Sequence, residues 1–70
     1  MKIHIKLADL LKERGISQRE LARLTGIRVS SINEMCNNDT VRLPLDNLAK
    51  ICQVLGVEIT DVLELIDERL

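Results

Sequence analysis

The chain has 70 residues, ten Lys or Arg against eleven Asp or Glu, and no Phe, Tyr or Trp. A chain of this length buries only about 60% of its extended-chain surface, which leaves room for one core over residues 1 to 70 and nothing for a second domain. The missing aromatics exclude base-stacking platforms for single-stranded nucleic acid, and a core of Leu, Ile, Val, Met and Ala suits interlocking helices better than a sheet sandwich.

The near-neutral total conceals a polarity along the chain. Residues 1 to 42 hold eight Lys or Arg and five Asp or Glu, whereas residues 43 to 70 hold two against six, so the basic surplus lies in the first part. Cys36 and Cys52 stand alone inside apolar helical patterns, with no CxxC spacing and one His in the chain. They read as reduced core thiols, with no metal site and no cofactor. No secretory apolar segment and no run of about 20 apolar residues occurs, so a soluble, cytoplasmic protein without a membrane span is expected.

The opening "MKIHIKL" alternates Ile3, Ile5 and Leu7 with Lys2, His4 and Lys6, a strand period. "TVRLPL" repeats the alternation at Val41, Leu43 and Leu45, and the two stretches are expected to pair as a minimal sheet. The first stretch equally fits a helix that starts early, at about Lys2.

From Leu7 the spacing turns helical, with Leu7, Leu10 and Leu11 on one face and Gly15 as the stop. Ser17 and Glu20 form an S-x-x-E capping box for a second helix, from which Leu21, Ala22 and Leu24 face inward until Gly26 ends it. A third helix follows at about Val29 to Asn37, with Ile32, Met35 and Cys36 inward, Ile27 plugging the bend before it, and "NND" closing it. The fourth runs from about Leu45 to Leu55, with Leu48, Ile51, Cys52 and Leu55 inward and Gly56 behind it. The fifth, from about Ile59, sets Ile59, Val62, Leu63, Ile66 and Leu70 on one stripe.

The break at Gly26 lets two short helices cross steeply, with Ala22 small at the closest approach and Gly26 supplying the positive φ of a tight turn. The outward side of the third helix is then a polar set around Arg28, Val29, Ser30, Asn33 and Glu34. "SQRELARLTGI", "SSINEM" and "LDNLAKICQVLGVEITDVL" together resemble the lambda-repressor/Cro-like (XRE) helix-turn-helix domains over roughly residues 7 to 66. The resemblance implies an all-α, compact five-helix domain with its helix-turn-helix unit at about 17 to 37, here with an optional short N-terminal strand.

The same resemblance implies a sequence-specific double-stranded DNA-binding regulator of transcription, with the third helix in the major groove. Carried over by position, Gln18 braces a phosphate, Val29 and Ser30 read base edges, and Asn33 and Glu34 lie one turn further along. Arg28, Ser31 and Arg42 are phosphate candidates. The departures are Val29, which can pack only against a thymine methyl where relatives often carry Gln, and the acid Glu34 facing the groove. The loop "NNDT" lacks a cation, and Pro44 lacks the oxygen of a capping Ser.

Arg19 and Arg23 read as surface residues of the second helix. Homodimerisation is expected, through the C-terminal helix or the alternating N-terminal stretch, because one small reading head binds weakly alone. The alternative is a protein-interaction module on the same scaffold, such as an antitoxin or a small adaptor with a protein partner. An enzyme is not expected: the chain has no nucleophile with a base, no paired carboxylates and no phosphate-cradling glycine loop.

Overall fold

The computed structural model describes residues 1 to 68. Along the chain lie β1 (Lys2–Ile5), α1 (Leu7–Arg14), α2 (Gln18–Thr25), α3 (Val29–Cys36), α4 (Leu45–Leu55), α5 (Ile59–Val62) and β2 (Leu63–Ile66). Helical spacing on each long helix turns one face to a common centre, where Leu7, Leu21, Ile32 and Ile51 are fully buried. The opening stretch is a strand, not an early helix.

That strand pairs antiparallel with β2, with Ile3 opposite Leu65 and Ile5 opposite Leu63. The expected pairing with residues 41 to 45 does not form: this segment has no strand, and Val41 is 94% exposed. Its place is taken by Asn38, whose side-chain oxygen accepts from the Ile5 N–H at 2.6 Å and whose amide nitrogen donates to the Ile5 carbonyl at 3.1 Å. One side chain thus satisfies the two outward backbone groups of Ile5 that a third strand would have used. Asn38 sits at φ 59, left-handed backbone that Asn tolerates better than most residues.

The expected long fifth helix stops at Val62, and Leu63 is extended at φ -118 and ψ 142. Leu63 and Ile66 satisfy a helical spacing, but Leu63 and Leu65 also satisfy a strand spacing. The nearby β1 decides between them, and the Lys6 N–H continues the ladder to the Val62 carbonyl at 2.7 Å. Of the expected stripe, Val62 is buried and Ile59 is exposed, while Leu70 lies outside the described residues.

Two smaller corrections concern α2. Leu24 is exposed and Thr25 is buried in its stead, because positions 21 and 25, four apart, share the inner face. The Thr25 hydroxyl donates to the Leu21 carbonyl and accepts from the Ile27 N–H, tying the turn together. The Ser17 hydroxyl accepts from the Glu20 N–H at 3.0 Å, but the Glu20 carboxylate turns to Arg23. Only half of the expected capping box is therefore made.

Gly26 holds φ 77, and its N–H bonds the Ala22 carbonyl at 2.8 Å. A Cβ there would meet nothing within 4 Å, so a side chain is disfavoured by backbone strain alone. Gly26→Ala is expected to lower stability by about 1 to 2 kcal/mol, read as a shift in the urea midpoint, with Gly26→Asn milder. The Arg14 guanidinium donates to the Leu55 carbonyl at 2.7 Å, placing a cation on the C-terminus of α4 and joining it to α1. Among the described residues no helix is long and apolar enough to cross a membrane.

Candidate nucleic-acid interface

Ser17 starts α2 and Gly26 ends it, so the chain bends through Ile27 and restarts as α3. Ile27, Ile32 and Met35 are buried, and together they fix α3 from beneath. The opposite side of its first turns is open, with Arg28, Ser30, Asn33 and Glu34 exposed and Val29 44% exposed. Ser31 is half-buried. No side chain caps α3, and its first intrahelical bonds are the Ser31 and Ile32 N–H groups to the Arg28 carbonyl. The N–H groups of Val29 and Ser30 therefore lie at an uncapped positive helix end that follows Arg28 in the chain.

The two helices are also linked across their polar side. Asn33 donates to the Gln18 side-chain oxygen at 3.2 Å and accepts from the Asn37 amide at 3.1 Å. This row of three amides brings Gln18 and Asn33, named separately from the sequence, into one unit. Two bonds use half of the Asn33 amide's capacity, leaving one N–H and one lone pair. Burial pushes the Cys36 thiol up from its ordinary pKa, against a smaller opposite pull from a Gln18 hydrogen bond, so this half-buried cysteine is a protonated, packed neighbour of the row.

Arg42 stands on the far side of a shallow cleft of about 160 Å³, which it lines with Ser31, Glu34, Thr40 and Asn47. The structure thus brings Ser31, Glu34 and Arg42 to one side of α3, and sets Gln18 and Asn33 together on another. Arg28, Val29 and Ser30 lie at the tip between them. Arg23 is engaged by Glu20, whose carboxyl is held below its ordinary value by the guanidinium. That leaves Arg23 a surface ion-pair residue. Among the described residues, no group of three or more His, Cys, Asp or Glu could hold a metal ion.

Sequence reasoning missed Asn37, Asn38 and Thr25. "NND" signalled a helix end, but not that its first two side chains would bond Asn33 and Ile5. The Thr25 hydroxyl was legible only through the i to i-4 spacing that lets a Thr bond its own helix.

The model of the Cro/C1-type HTH DNA-binding domain matches residues 6 to 68. The chain belongs to the Cro/C1-type helix-turn-helix family. A candidate DNA-binding protein from Bacteroides fragilis, known from its crystal structure, superposes on this Cro/C1-type chain with a TM-score of 0.79 at 24% identity, over 90% of this chain and all of that one. At that identity the likeness speaks for the fold. The search of curated proteins found no match.

Proposed function

We propose that this chain is a sequence-specific, double-stranded DNA-binding regulator of transcription, acting in the cytoplasm as a homodimer, with the N-terminal turns of α3 in the major groove. The observation that carries the reading is the uncapped, outward N-terminus of α3, where Arg28, Val29 and Ser30 are exposed while Ile32 and Met35 anchor the other face. An α-helix presented in this way fits the width of the major groove. Family membership and the fold shared with the Bacteroides fragilis protein support the same reading.

In this reading Arg28 and Arg42 meet phosphates on either side of the groove. Gln18 meets one at the start of α2, and Ser31 adds a hydroxyl. Val29 packs on a thymine methyl, Ser30 bonds a base edge, and Glu34 accepts from a cytosine amino group. Asn33 offers its remaining donor and acceptor to an adenine edge, with its orientation already set by Gln18 and Asn37. Most of the affinity comes from phosphate contacts and weakens steeply with salt.

A mobility-shift assay on random duplex at low and raised salt tests the reading. Retention at low salt that is lost as salt rises is expected, whereas no retention at low salt would point to a module that binds only protein. Selection from a randomised duplex pool then gives the preferred site. On that site Ser30→Ala is expected to lose about 1 kcal/mol or more of discrimination at one base pair, with little change on random duplex. Equal loss on both would remove Ser30 from base reading.

A further inference from the structure

Asn33 stands in the middle of a row of side chains. Its amide nitrogen donates to the Gln18 oxygen, its own oxygen accepts from the Asn37 amide, and Gln18 also hydrogen-bonds the Cys36 thiol group. Positions 33, 36 and 37 are three and four apart, so they share one side of α3, the side that meets the start of α2.

A primary amide keeps nearly the same shape when turned over, with donor and acceptor exchanged. In a row each member must turn with its neighbour, because two N–H groups or two oxygens set face to face would lose the bond. The row therefore has two directions. In this structure the donors point from Asn37 through Asn33 to Gln18, which leaves Asn33 with a free N–H at its Gln18 end and a free lone pair at its Asn37 end. An adenine edge carries an acceptor, N7, beside a donor, the N6 amino group. It fits one direction of the row and meets like groups in the other.

The two ends of the row differ in what they can impose. At one end the thiol is a weak donor and a weak acceptor, so it favours neither direction strongly. At the other end Asn37 is held in place. It keeps helical backbone at φ -89 and ψ 0, its N–H bonds the Asn33 carbonyl at 3.0 Å, and the next residue is Asn38, which bonds both outward backbone groups of Ile5. Asn37 is thus clamped between α3 and β1.

We infer that Asn37 is a positioning residue for base preference: by donating to Asn33 it sets which end of that amide meets the N7 atom of an adenine. The inference deepens the duplex-binding reading and rests on it. Asn37 caps the C-terminal end of α3, away from the turns assigned to the groove, so it acts through Asn33 and not on the base.

The test couples position 37 to a single base atom. In the duplex chosen by selection, the base pair that faces Asn33 is the one whose preference relaxes in Asn33→Ala. Replacing its adenine by a deazaadenine that lacks the N7 acceptor should weaken the unsubstituted chain about threefold or more. Asn37→Asp offers Asn33 acceptors only, so the row turns over and the same analogue should then cost nothing. Comparing two duplexes bound by one variant cancels the uniform repulsion that the added charge brings. Asn37→Gln keeps a donor and should keep the penalty. Asn37→Ala frees Asn33 to turn, and should relax preference at that base pair alone, with retention on random duplex and the urea midpoint unchanged. Should Asn37→Asp unfold, Asn37→Ala decides. A preference at that base pair that ignores both substitutions overturns the inference and leaves the regulator reading standing. Equal losses for Asn37→Ala on random and selected duplex make Asn37 a phosphate contact and overturn it as well. An unsubstituted chain that no duplex retains removes both readings.

Discussion

Ile32→Ala is expected to lower the unfolding free energy by about 2 to 5 kcal/mol, enough to consume most of the roughly 3 to 5 kcal/mol available to a core of this size. Ile32 is fully buried on the inner face of α3, and no aromatic side chain exists to fill the gap left by truncation. Chemical denaturation followed by circular dichroism checks the loss, with Ile32→Val costing about 0.5 to 1.5 kcal/mol as the graded control. Because the same residue holds the outward turn in place, duplex binding should fall in step with the folded fraction. An unmoved midpoint would mean that α3 is not anchored where the structure puts it.

The second large effect is expected at the surface. Arg28→Glu replaces a cation with an anion at the tip of α3, and should weaken binding to every duplex about tenfold or more while making the salt dependence shallower by about one unit of slope. Arg28 is exposed, and an acid at a helix N-terminus interacts favourably with the helix dipole. Stability should therefore hold or rise slightly, which separates this loss from that of Ile32→Ala. Parallel titrations of a selected and a scrambled duplex check it. A loss confined to the selected site would make Arg28 a base reader instead of a phosphate contact.

The helices were legible where sequence signals were local. The apolar spacing of Leu7, Leu10 and Leu11 and of Leu48, Ile51 and Leu55 marked inner faces, and Gly15, Gly26 and Gly56 marked left-handed helix ends. What was not legible depended on neighbours distant in sequence. The run Leu63–Ile66 fits both a helix and a strand, and β1, at the other end of the chain, selects the strand. Asn38 could be read as a turn former but not as the cap of Ile5, a bond spanning 33 positions. In the candidate interface the outward polar set on α3 was legible from the break at Gly26 and the resemblance supplied its roles, whereas the amide row through Gln18, Asn33 and Asn37 needed the crossing of two helices to appear.

The ribbon also changes where a dimer contact can be sought. A C-terminal helix with a free apolar stripe does not exist over residues 63 to 66, and the N-terminal stretch has its own edge closed at Ile5. Both expected surfaces merge into one short two-stranded sheet.

Following the backbone amide signals of the isotope-labelled chain by NMR as a selected duplex is added tests most directly whether the first turns of α3 face DNA. The largest shifts should fall on Gln18, Arg28, Val29, Ser30 and Asn33, fading when salt is raised. Shifts confined to the β1–β2 ribbon and the acidic C-terminal half, with the amides of residues 28 to 33 unmoved at saturation, would contradict it.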